Sequence, residues 1–390
     1  MYTPLNDYDI TLETLNRVVS KIKSLKLAAS KKTCFLGFDG YIDSLYSLVK
    51  KRKDGKNWVK MDTMKEFSKL IADISGSSAN IERVLKKKIF GGFAPNTSRA
   101  LNSLGAKVYL MAALGYPEFS KYYTQSLGVK SISIANPGET LGLEFNDGKI
   151  MITDFEPILE ISWNSLKEIV STKKLIDIIN NSSILGFGHW ALIPNINSIW
   201  KHMLAEIFPS LGEKNKKLFF VDIADITKRS KKDILEMINI LQKVDHEMPV
   251  MLSVNDREAI RLSTLLTNTN PIRNKNDFIE GGRSINKEID LSFFVIHSPH
   301  FATISTQREH YWVTEGYTSM PNYTVAAGDH FHSGVALGLS CKLTPPEAIL
   351  MGNALTAIFV RTGLSPNFDQ LSNFINRYLE FILDDIPHFP

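Results

Sequence analysis

Cysteine is scarce in this chain, and long apolar runs are missing altogether. The only two cysteines, Cys34 and Cys341, lie far apart in the sequence and match no metal-ligand spacing, which argues against a disulfide framework or a zinc site. We therefore expect a reduced, cytoplasmic protein. No apolar run reaches the ~18 residues that span a bilayer, and residues 1–30 lack the apolar core of a signal peptide. No membrane partner is expected.

A strong excess of charge of one sign is also lacking. The chain has 45 Lys and Arg residues against 41 Asp and Glu residues, so its net charge is only +4. This excess is too small to indicate a nucleic-acid partner, although it suits anionic phosphate ligands. With 44% hydrophobic and 22% charged residues in 390, the chain has the composition of a globular protein with one elaborated α/β domain or two domains.

Apolar stretches alternate with helical patterns along most of the chain. Thr11 to Ala29 has the spacing of an amphipathic helix outside the core, and a first strand follows near Cys34. Further continuous apolar strands are predicted at 183–187, 218–222, 250–254 and 293–297, with helical patterns between them. Buried strands separated by helices are typical of a doubly wound, mainly parallel sheet flanked by helices. The predicted fold class is therefore α/β.

The stretch from Ala326 to Gly334 carries the clearest chemical signal. Ala326, Ala327 and Gly328 have almost no side chain and open a predicted helix, so their amides would face an anion at the positive end of the helix dipole. Asp329 follows directly, and a carboxylate at that point could take a proton from a hydroxyl that attacks a phosphoryl group. The alternative is an acidic residue in the first turn of an ordinary helix.

Two other stretches place polar groups at predicted strand ends. Gly91 and Gly92 bring the backbone close to a ligand, and Asn96 follows at the start of a helix. Asp39 and Asp43 follow the first strand, where open α/β sheets bind ligands. Their alternative role is that of turn or cap residues.

Asn255 and Glu258 are three residues apart at a helix start, so they share one face. Carboxylate and amide oxygens of this kind suit Mg²⁺, which prefers oxygen ligands and keeps its waters. The alternative is a capping box that closes the helix N-terminus.

Taken together, the segments 91–105, 255–258 and 326–334 resemble the signatures of the ribokinase (PfkB) family of sugar and nucleoside kinases, in the same order along the chain. The family usually has a glycine where this sequence has Ala326. The resemblance implies a ribokinase-like fold with a small β lid built from segments of about 44–90 and 135–156. It divides the chain into a helix at 1–30 packed on the core and a kinase domain at 31–390, and it allows a homodimer through the lid.

The resemblance also implies a role for each matched residue. Asp329 would be the catalytic base, with an anion hole formed by the backbone around it. The roles implied for the remaining residues are the anion hole for Ala326, Ala327 and Gly328; acceptor binding for Asp39, Asp43, Gly91, Gly92 and Asn96; Mg²⁺ binding for Asn255 and, through water, Glu258; and nucleotide contacts for Asn255, Glu258, Ser298 and Asn353.

These roles predict a kinase that transfers the terminal phosphate of Mg-ATP to a hydroxymethyl group of a sugar-like acceptor. Mg²⁺ and ATP are the expected cofactors, and no nucleic acid is expected as a partner. Two alternatives remain open. An ADP-dependent sugar kinase would share the fold, although His246 and Glu247 are adjacent rather than in the His-x-Glu pattern of that class. A non-catalytic sugar or nucleotide sensor is suggested by the missing glycines near Ser298.

Overall fold

A computed structural model describes residues 10–124, 129–267 and 272–389. The first nine residues of the predicted N-terminal segment lie outside this part. The strands are Thr33–Phe38 (β1), Tyr41–Arg52 (β2), Trp58–Lys60 (β3), Arg83–Gly91 (β4), Lys107–Ala112 (β5), Lys130–Ser133 (β6), Gly138–Phe145 (β7), Gly148–Asp154 (β8), Ile184–Phe187 (β9), Leu218–Asp222 (β10), Val250–Asn255 (β11), Phe293–His297 (β12), Phe301–Ser305 (β13) and His310–Thr314 (β14).

The helices lie between these strands and after them. They are Thr11–Ala29 (α1), Met64–Asp73 (α2), Phe93–Ser103 (α3), Lys121–Thr124 (α4), Glu156–Leu159 (α5), Trp163–Ile169 (α6), Thr172–Asn180 (α7), Ile196–His202 (α8), Lys231–Glu247 (α9), Asp256–Leu266 (α10), Lys275–Ile289 (α11), Ala327–Ser340 (α12), Pro345–Thr362 (α13), Phe368–Asn376 (α14) and Tyr378–Leu383 (α15). Short 3-10 or π segments lie at Trp190–Leu192, Met203–Ile207, Phe208–Ser210, Lys214–Lys216 and Ile226–Lys228.

The central sheet has nine strands in the order β14-β13-β12-β11-β10-β9-β1-β5-β6. All neighbours from β6 to β12 pair in parallel, and β13 pairs antiparallel with both β12 and β14. This confirms the predicted doubly wound, mainly parallel sheet. From β1 the chain first builds outward through β5 and β6, and then builds the other way from β9. The crevice at this reversal is where open α/β sheets bind ligands.

Successive residues of the central strands face opposite sides of the sheet, and each side has its own apolar core. On one side Phe35 packs in a cluster with Phe187 and Phe219, and on the other side Leu36 packs with Phe93 and Phe331. Helix α1 adds buried apolar residues to the second cluster, and its Lys21 Nζ lies 2.7 Å from the buried Glu347 carboxylate. No described helix is long and apolar enough to cross a membrane.

A second sheet of five strands stands above the carboxyl ends of the central strands, and we call it the lid sheet. Its strand order is β3-β2-β7-β8, with β4 paired to β2. Strand β2 begins only two residues after β1, so the chain passes directly from the central sheet into the lid sheet. Helix α2 covers one face of the lid sheet, where Leu48 and Leu143 lie in a small apolar cluster.

Candidate active site

The glycine pair at the end of β4 makes room for the two aspartates that follow β1. A Cβ atom on Gly91 would lie 2.2 Å from Oδ2 of Asp43, and one on Gly92 would lie 2.9 Å from Oδ2 of Asp39. Gly92 also has a φ of +101°, a conformation that side chains disfavour. Each glycine is therefore required by the carboxylate beside it, which explains why the two sequence features occur together.

Asp39 is held inside the protein, and the acceptor role that the resemblance implies for it stays a prediction. It is completely buried, and its two oxygens accept hydrogen bonds from the backbone amides of Phe93 and Ala94 at 2.8 and 2.9 Å. It thus caps the N-terminus of α3. Its Oδ2 also lies 2.6 Å from Nδ1 of His189. The cap reading, which the sequence left open, holds for Asp39.

Asp329 lies at the start of α12 beside the side-chain amide of Asn96, whose Nδ2 donates a hydrogen bond to Oδ2 of Asp329 at 2.9 Å. The sequence prediction that these two residues share one site is met, although 233 positions separate them. Asp329 is only 8% exposed and forms no ion pair with another described residue. Burial raises its pKa to about 7; His189 opposes this rise and the charge of Asp222 adds to it. A carboxylate with that pKa is suited to general-base catalysis near neutral pH.

Three further buried carboxylates and one histidine lie near Asp329, and we call the whole group the carboxylate floor: Asp39, Asp222, Glu258, Asp329 and His189. Possible ligand atoms of His189, Asp222 and Asp329 lie within 4.8 Å of one another. Burial alone would lower the pKa of His189, but Asp39 and the other carboxylates raise it to about 10. Burial and the nearby Asp222 raise the pKa of Glu258 to about 9. The floor therefore holds more acidic groups than its one imidazolium can neutralise.

The N-terminus of α12 has the geometry that an anion hole requires. Ala326 precedes the helix in the left-handed region, with φ of 71° and ψ of 10°. Its carbonyl accepts a hydrogen bond from Nδ1 of the buried His330 at 2.7 Å. The amide of Ala327 contacts the Thr324 carbonyl at 3.3 Å. The backbone amides of Gly328 and Asp329 have no hydrogen-bond partner in the described ranges, so both amides are available to a ligand.

Asn255 and Glu258 form the capping box that was the alternative to a metal role. The Glu258 amide donates to Oδ1 of Asn255 at 3.0 Å, and the Asn255 amide donates to Oε2 of Glu258 at 2.9 Å. Capping leaves one carboxylate oxygen of Glu258 for other partners. Ser298 lies in the turn between β12 and β13, next to His297, which pairs with Asn255 across the sheet.

Asn353 packs between a helix and the central sheet, and its implied nucleotide contact stays a prediction. It lies within α13 with no exposed surface, and its amide donates to the carbonyls of Val313 and Thr314 at 3.4 and 3.3 Å. Asn353 lies on the face of the apolar helix α13 that packs against β14. In this structure Asn353 joins a helix to the sheet.

A cavity of about 1000 Å³ lies beside the lid sheet, and it adjoins the carboxylate floor through Asn96, which lines the cavity and contacts Asp329. It is lined on the acceptor side by Asp43, Gly91 and Asn96, and near α12 by Ala326. Burial raises the pKa of Asp43, against a hydrogen bond from Thr140 that lowers it. Strand β4, the edge of the lid sheet, closes one side of the cavity.

Sequence reasoning underrated several residues of this site. His189, to which the sequence analysis assigns no role, pairs with Asp39 and approaches Asp222 at 3.9 Å. Both His189 and Asp222 lie where a strand ends, and this was the signal that could have found them. The basic side chains that line the cavity lacked such a signal because their direction depends on strand pairing in the lid sheet.

Comparison with solved structures defines the class of protein. Ribokinase from Arabidopsis thaliana aligns with a TM-score of 0.62 at 15% identity, covering 88% of this chain and 98% of that one. A nucleoside kinase from Methanocaldococcus jannaschii aligns with a TM-score of 0.56 at 14% identity, covering 89% of this chain and 98% of that one. Ribokinase from Thermotoga maritima aligns with a TM-score of 0.58 at 16% identity, covering 88% of this chain and 99% of that one. The fold is that of the ribokinase family, as the sequence predicted.

The family within that class follows from sequence. The profile of the prokaryotic ketohexokinase family matches residues 10–378, and the chain belongs to this family. A ketohexokinase from Haloferax volcanii is 25% identical over 347 residues, which are 88% of this chain and 91% of that protein. The protein is a carbohydrate kinase, a phosphotransferase with an alcohol group as acceptor, and the predicted enzyme class is confirmed.

Proposed function

We propose that this kinase transfers the terminal phosphate of Mg-ATP to a hydroxymethyl group of a keto sugar, with Asp329 as general base. The observation that carries the proposal is the setting of Asp329. Its carboxylate is buried, is oriented by Asn96 at 2.9 Å and has a pKa raised to about 7. It also adjoins the free amides at the start of α12. The keto sugar is taken from the ketohexokinase relatives.

The reaction would follow the usual course of phosphoryl transfer. Asp329 accepts the proton of the acceptor hydroxyl as its oxygen forms a bond to the terminal phosphorus, and the bond from that phosphorus to the leaving ADP oxygen breaks. The amides of Gly328 and Asp329 would stabilise the negative charge on the transferring group. Asn96 keeps the carboxylate pointed at the hydroxyl, and Asp43 at the same cavity would bind other hydroxyls of the sugar.

The residues of the carboxylate floor suit a hydrated Mg²⁺ ion. Asp222 and Glu258 are buried carboxylates whose pKa values are both raised because burial is not offset by enough positive charge. Oxygen groups in this state favour a hard divalent cation. Glu258 would hold the ion through water together with Asn255, and Asp222 is a further ligand candidate. When bound, Mg²⁺ neutralises charge on the nucleotide phosphates.

ATP is the donor that we propose, and Ser298 and Asn255 lie on the side of the site where it would bind. The chain has no His-x-Glu segment of the kind that favours the ADP-dependent alternative. A non-catalytic sensor would not need a carboxylate with the setting of Asp329.

We also propose that the lid sheet forms the contact of a homodimer, because the side chains of Leu85 and Ile152 on this sheet are 51% and 58% exposed. Sedimentation equilibrium tests this proposal.

The test of the proposed function is Asp329→Asn, which removes the base and keeps the shape. ADP release would be measured with ATP, Mg²⁺ and ketohexoses, and ATP binding by calorimetry. We expect the variant to bind ATP with unchanged affinity and to lose turnover by about 10²- to 10⁴-fold, the usual range for a general base. Turnover close to that of the unmodified enzyme would contradict the role of Asp329, and turnover insensitive to Mg²⁺ would contradict the metal role.

A further inference from the structure

The cavity beside the lid sheet is unusually basic for a site that binds a neutral sugar. Its lining includes six basic side chains and only two acidic ones, Asp43 and Glu144. Five of the basic groups are lysines that we call the lysine rim: Lys86, Lys87, Lys88, Lys121 and Lys149. The sixth is Arg99. Since the whole protein has a net charge of only +4, positive charge is concentrated at this one opening.

Four of these six basic groups, Lys86, Lys87, Lys88 and Arg99, form no ion pair with any residue that the structure describes. Lys149 pairs with Glu144 at 2.7 Å. By contrast, Lys86 has no ion-pair or hydrogen-bond partner in the part of the chain that the structure describes. Lys87 and Lys88 are placed over the rings of Tyr323 and Tyr122, at 5.5 and 5.3 Å, rather than beside a carboxylate. Cationic groups that converge on a cavity without counter-charges are suited to an anionic ligand.

Arg99 extends the positive charge toward the base. Its guanidinium lies between the rings of Phe90 and Phe359, 5.1 and 5.9 Å from their centres. Its Nε is buried and has no hydrogen-bond partner among the described residues. Leaving a buried N–H group of a guanidinium without a hydrogen-bond partner is costly. A bound anion would supply the missing partner.

The backbone of β4 explains why consecutive lysines reach one cavity. Leu45 of β2 pairs with Lys87, but the next residue, Tyr46, pairs with Leu85, so Lys86 is left without an opposite residue. This is a β-bulge, which turns the side chains of an edge strand and is common beside active sites. The bulge lets three successive lysines line the cavity, although a regular strand would send alternate ones to opposite faces.

The lysine rim adjoins the acceptor side of the site. It shares the cavity with Asp43, Gly91 and Asn96. The residues expected near the nucleotide, Asn255, Glu258 and Ser298, do not line this cavity. Asp329 does not line it either, but it is contacted by Asn96, which does. Because the rim shares the cavity with the three residues expected to bind the acceptor, the acceptor is the ligand that would carry the anion.

We propose that the acceptor is a keto sugar that already carries an anionic group, a phosphate monoester or a carboxylate, held by the lysine rim and Arg99. This proposal rests on the proposed function. The terminal phosphorus of ATP becomes bonded to a free hydroxyl oxygen of the anionic sugar, its bond to the ADP oxygen breaks, and the hydroxyl proton passes to Asp329. The products are ADP and a sugar with one more phosphate, so the preceding reaction must supply a phosphorylated or acidic keto sugar.

The test compares three acceptor classes on the intact enzyme with Mg-ATP: neutral ketohexoses, ketohexose monophosphates, and keto sugar acids. We expect kcat/KM for one of the anionic classes to exceed that for neutral ketohexoses by about tenfold or more, and the class that is preferred identifies the group. The double variant Lys86→Ala/Lys88→Ala should raise KM for the anionic acceptor by about three- to tenfold, as expected for partly exposed ion pairs, and leave KM for ATP unchanged. Lys51→Ala is the matched control, because Lys51 is exposed on β2 outside the cavity.

The outcomes separate this proposal from the proposed function. Equal or better turnover of neutral ketohexoses would overturn the anionic acceptor and leave the kinase assignment intact. A rise in KM for ATP alone, after the lysine substitutions, would overturn it by assigning the rim to the donor. Binding is measured separately by titrating ketohexose monophosphates and keto sugar acids into Asp329→Asn. If no acceptor is phosphorylated, the proposed function fails. In that case, binding of an anionic acceptor that the lysine substitutions weaken would still support an anionic ligand. Absence of any such binding would overturn the proposal of an anionic ligand.

Discussion

The lysine rim lines the cavity, the carboxylate floor adjoins that cavity through Asn96, and the two regions are built in opposite ways. The floor is buried, and its groups are held by the backbone and by each other, as Asp39 is held by two amides and His189. Three of the five rim lysines, Lys86, Lys87 and Lys88, lie on the edge strand β4 and form no ion pair with another described residue. Fixed, desolvated groups are what proton transfer requires, whereas mobile cations suit the capture of an anion.

The opposite signs of the two regions also separate their tasks. The acidic floor would repel an anionic group, and the rim would attract it. An acceptor with one charged end would therefore bind with that end at the rim and with its free hydroxyl at Asp329. The comparison predicts that damage to the floor reduces turnover, while damage to the rim reduces affinity for the acceptor.

Among the substitutions that leave Asp329 in place, the largest effect is expected at the end of β4, at Gly91→Ala. The new Cβ would lie 2.2 Å from Oδ2 of Asp43, so the carboxylate must move. A displacement of about 1 Å in a group that orients a substrate can cost ~100-fold in rate. We expect kcat/KM to fall by about that factor, which steady-state kinetics would measure.

Gly55→Ala is the matched control for this substitution. Gly55 lies in the turn between β2 and β3, and a Cβ there meets no atom within 4 Å. We expect its kinetics to match those of the unmodified enzyme. If Gly91→Ala behaved in the same way, the close packing of Asp43 would not matter to catalysis.

A smaller effect is expected in the pH dependence. The base must be ionised, and the pKa of Asp329 is about 7, so kcat/KM should fall as the pH drops through about 7 and level off above it. The charge of Asp222 raises this pKa. Asp222→Asn should therefore move the acidic limb to lower pH, by roughly half a unit or more. Asp73→Asn, on the exposed end of α2, serves as the control. A limb that stays fixed, or moves to higher pH, would contradict the coupling between the two carboxylates.

The same contrast explains what could be predicted from sequence. Asp329, Asn96 and Gly91 were found because strand ends and helix starts are local patterns that fix where a side chain goes. The internal contacts of Asp39 and Asn353 could not be predicted, because burial depends on which elements pack together. Lys86 and its neighbours could not be placed at the cavity either, since the bulge that directs them into it arises from pairing with β2.

The smallest effect is expected for Ala326→Gly, at the point where floor and cavity meet. Ala326 has a φ of 71°, and a left-handed conformation costs a residue with a side chain roughly 1–2 kcal/mol, partly offset by the greater chain entropy of glycine in the unfolded state. We expect the free energy of unfolding in urea to rise by about 0.5–1 kcal/mol, with little change in kcat. Ala72→Gly, on the exposed surface of the right-handed helix α2, should instead lower it. A loss of stability at both positions would mean that the backbone at Ala326 relaxes in solution, and the amides of Gly328 and Asp329 would then not be held ready for an anion.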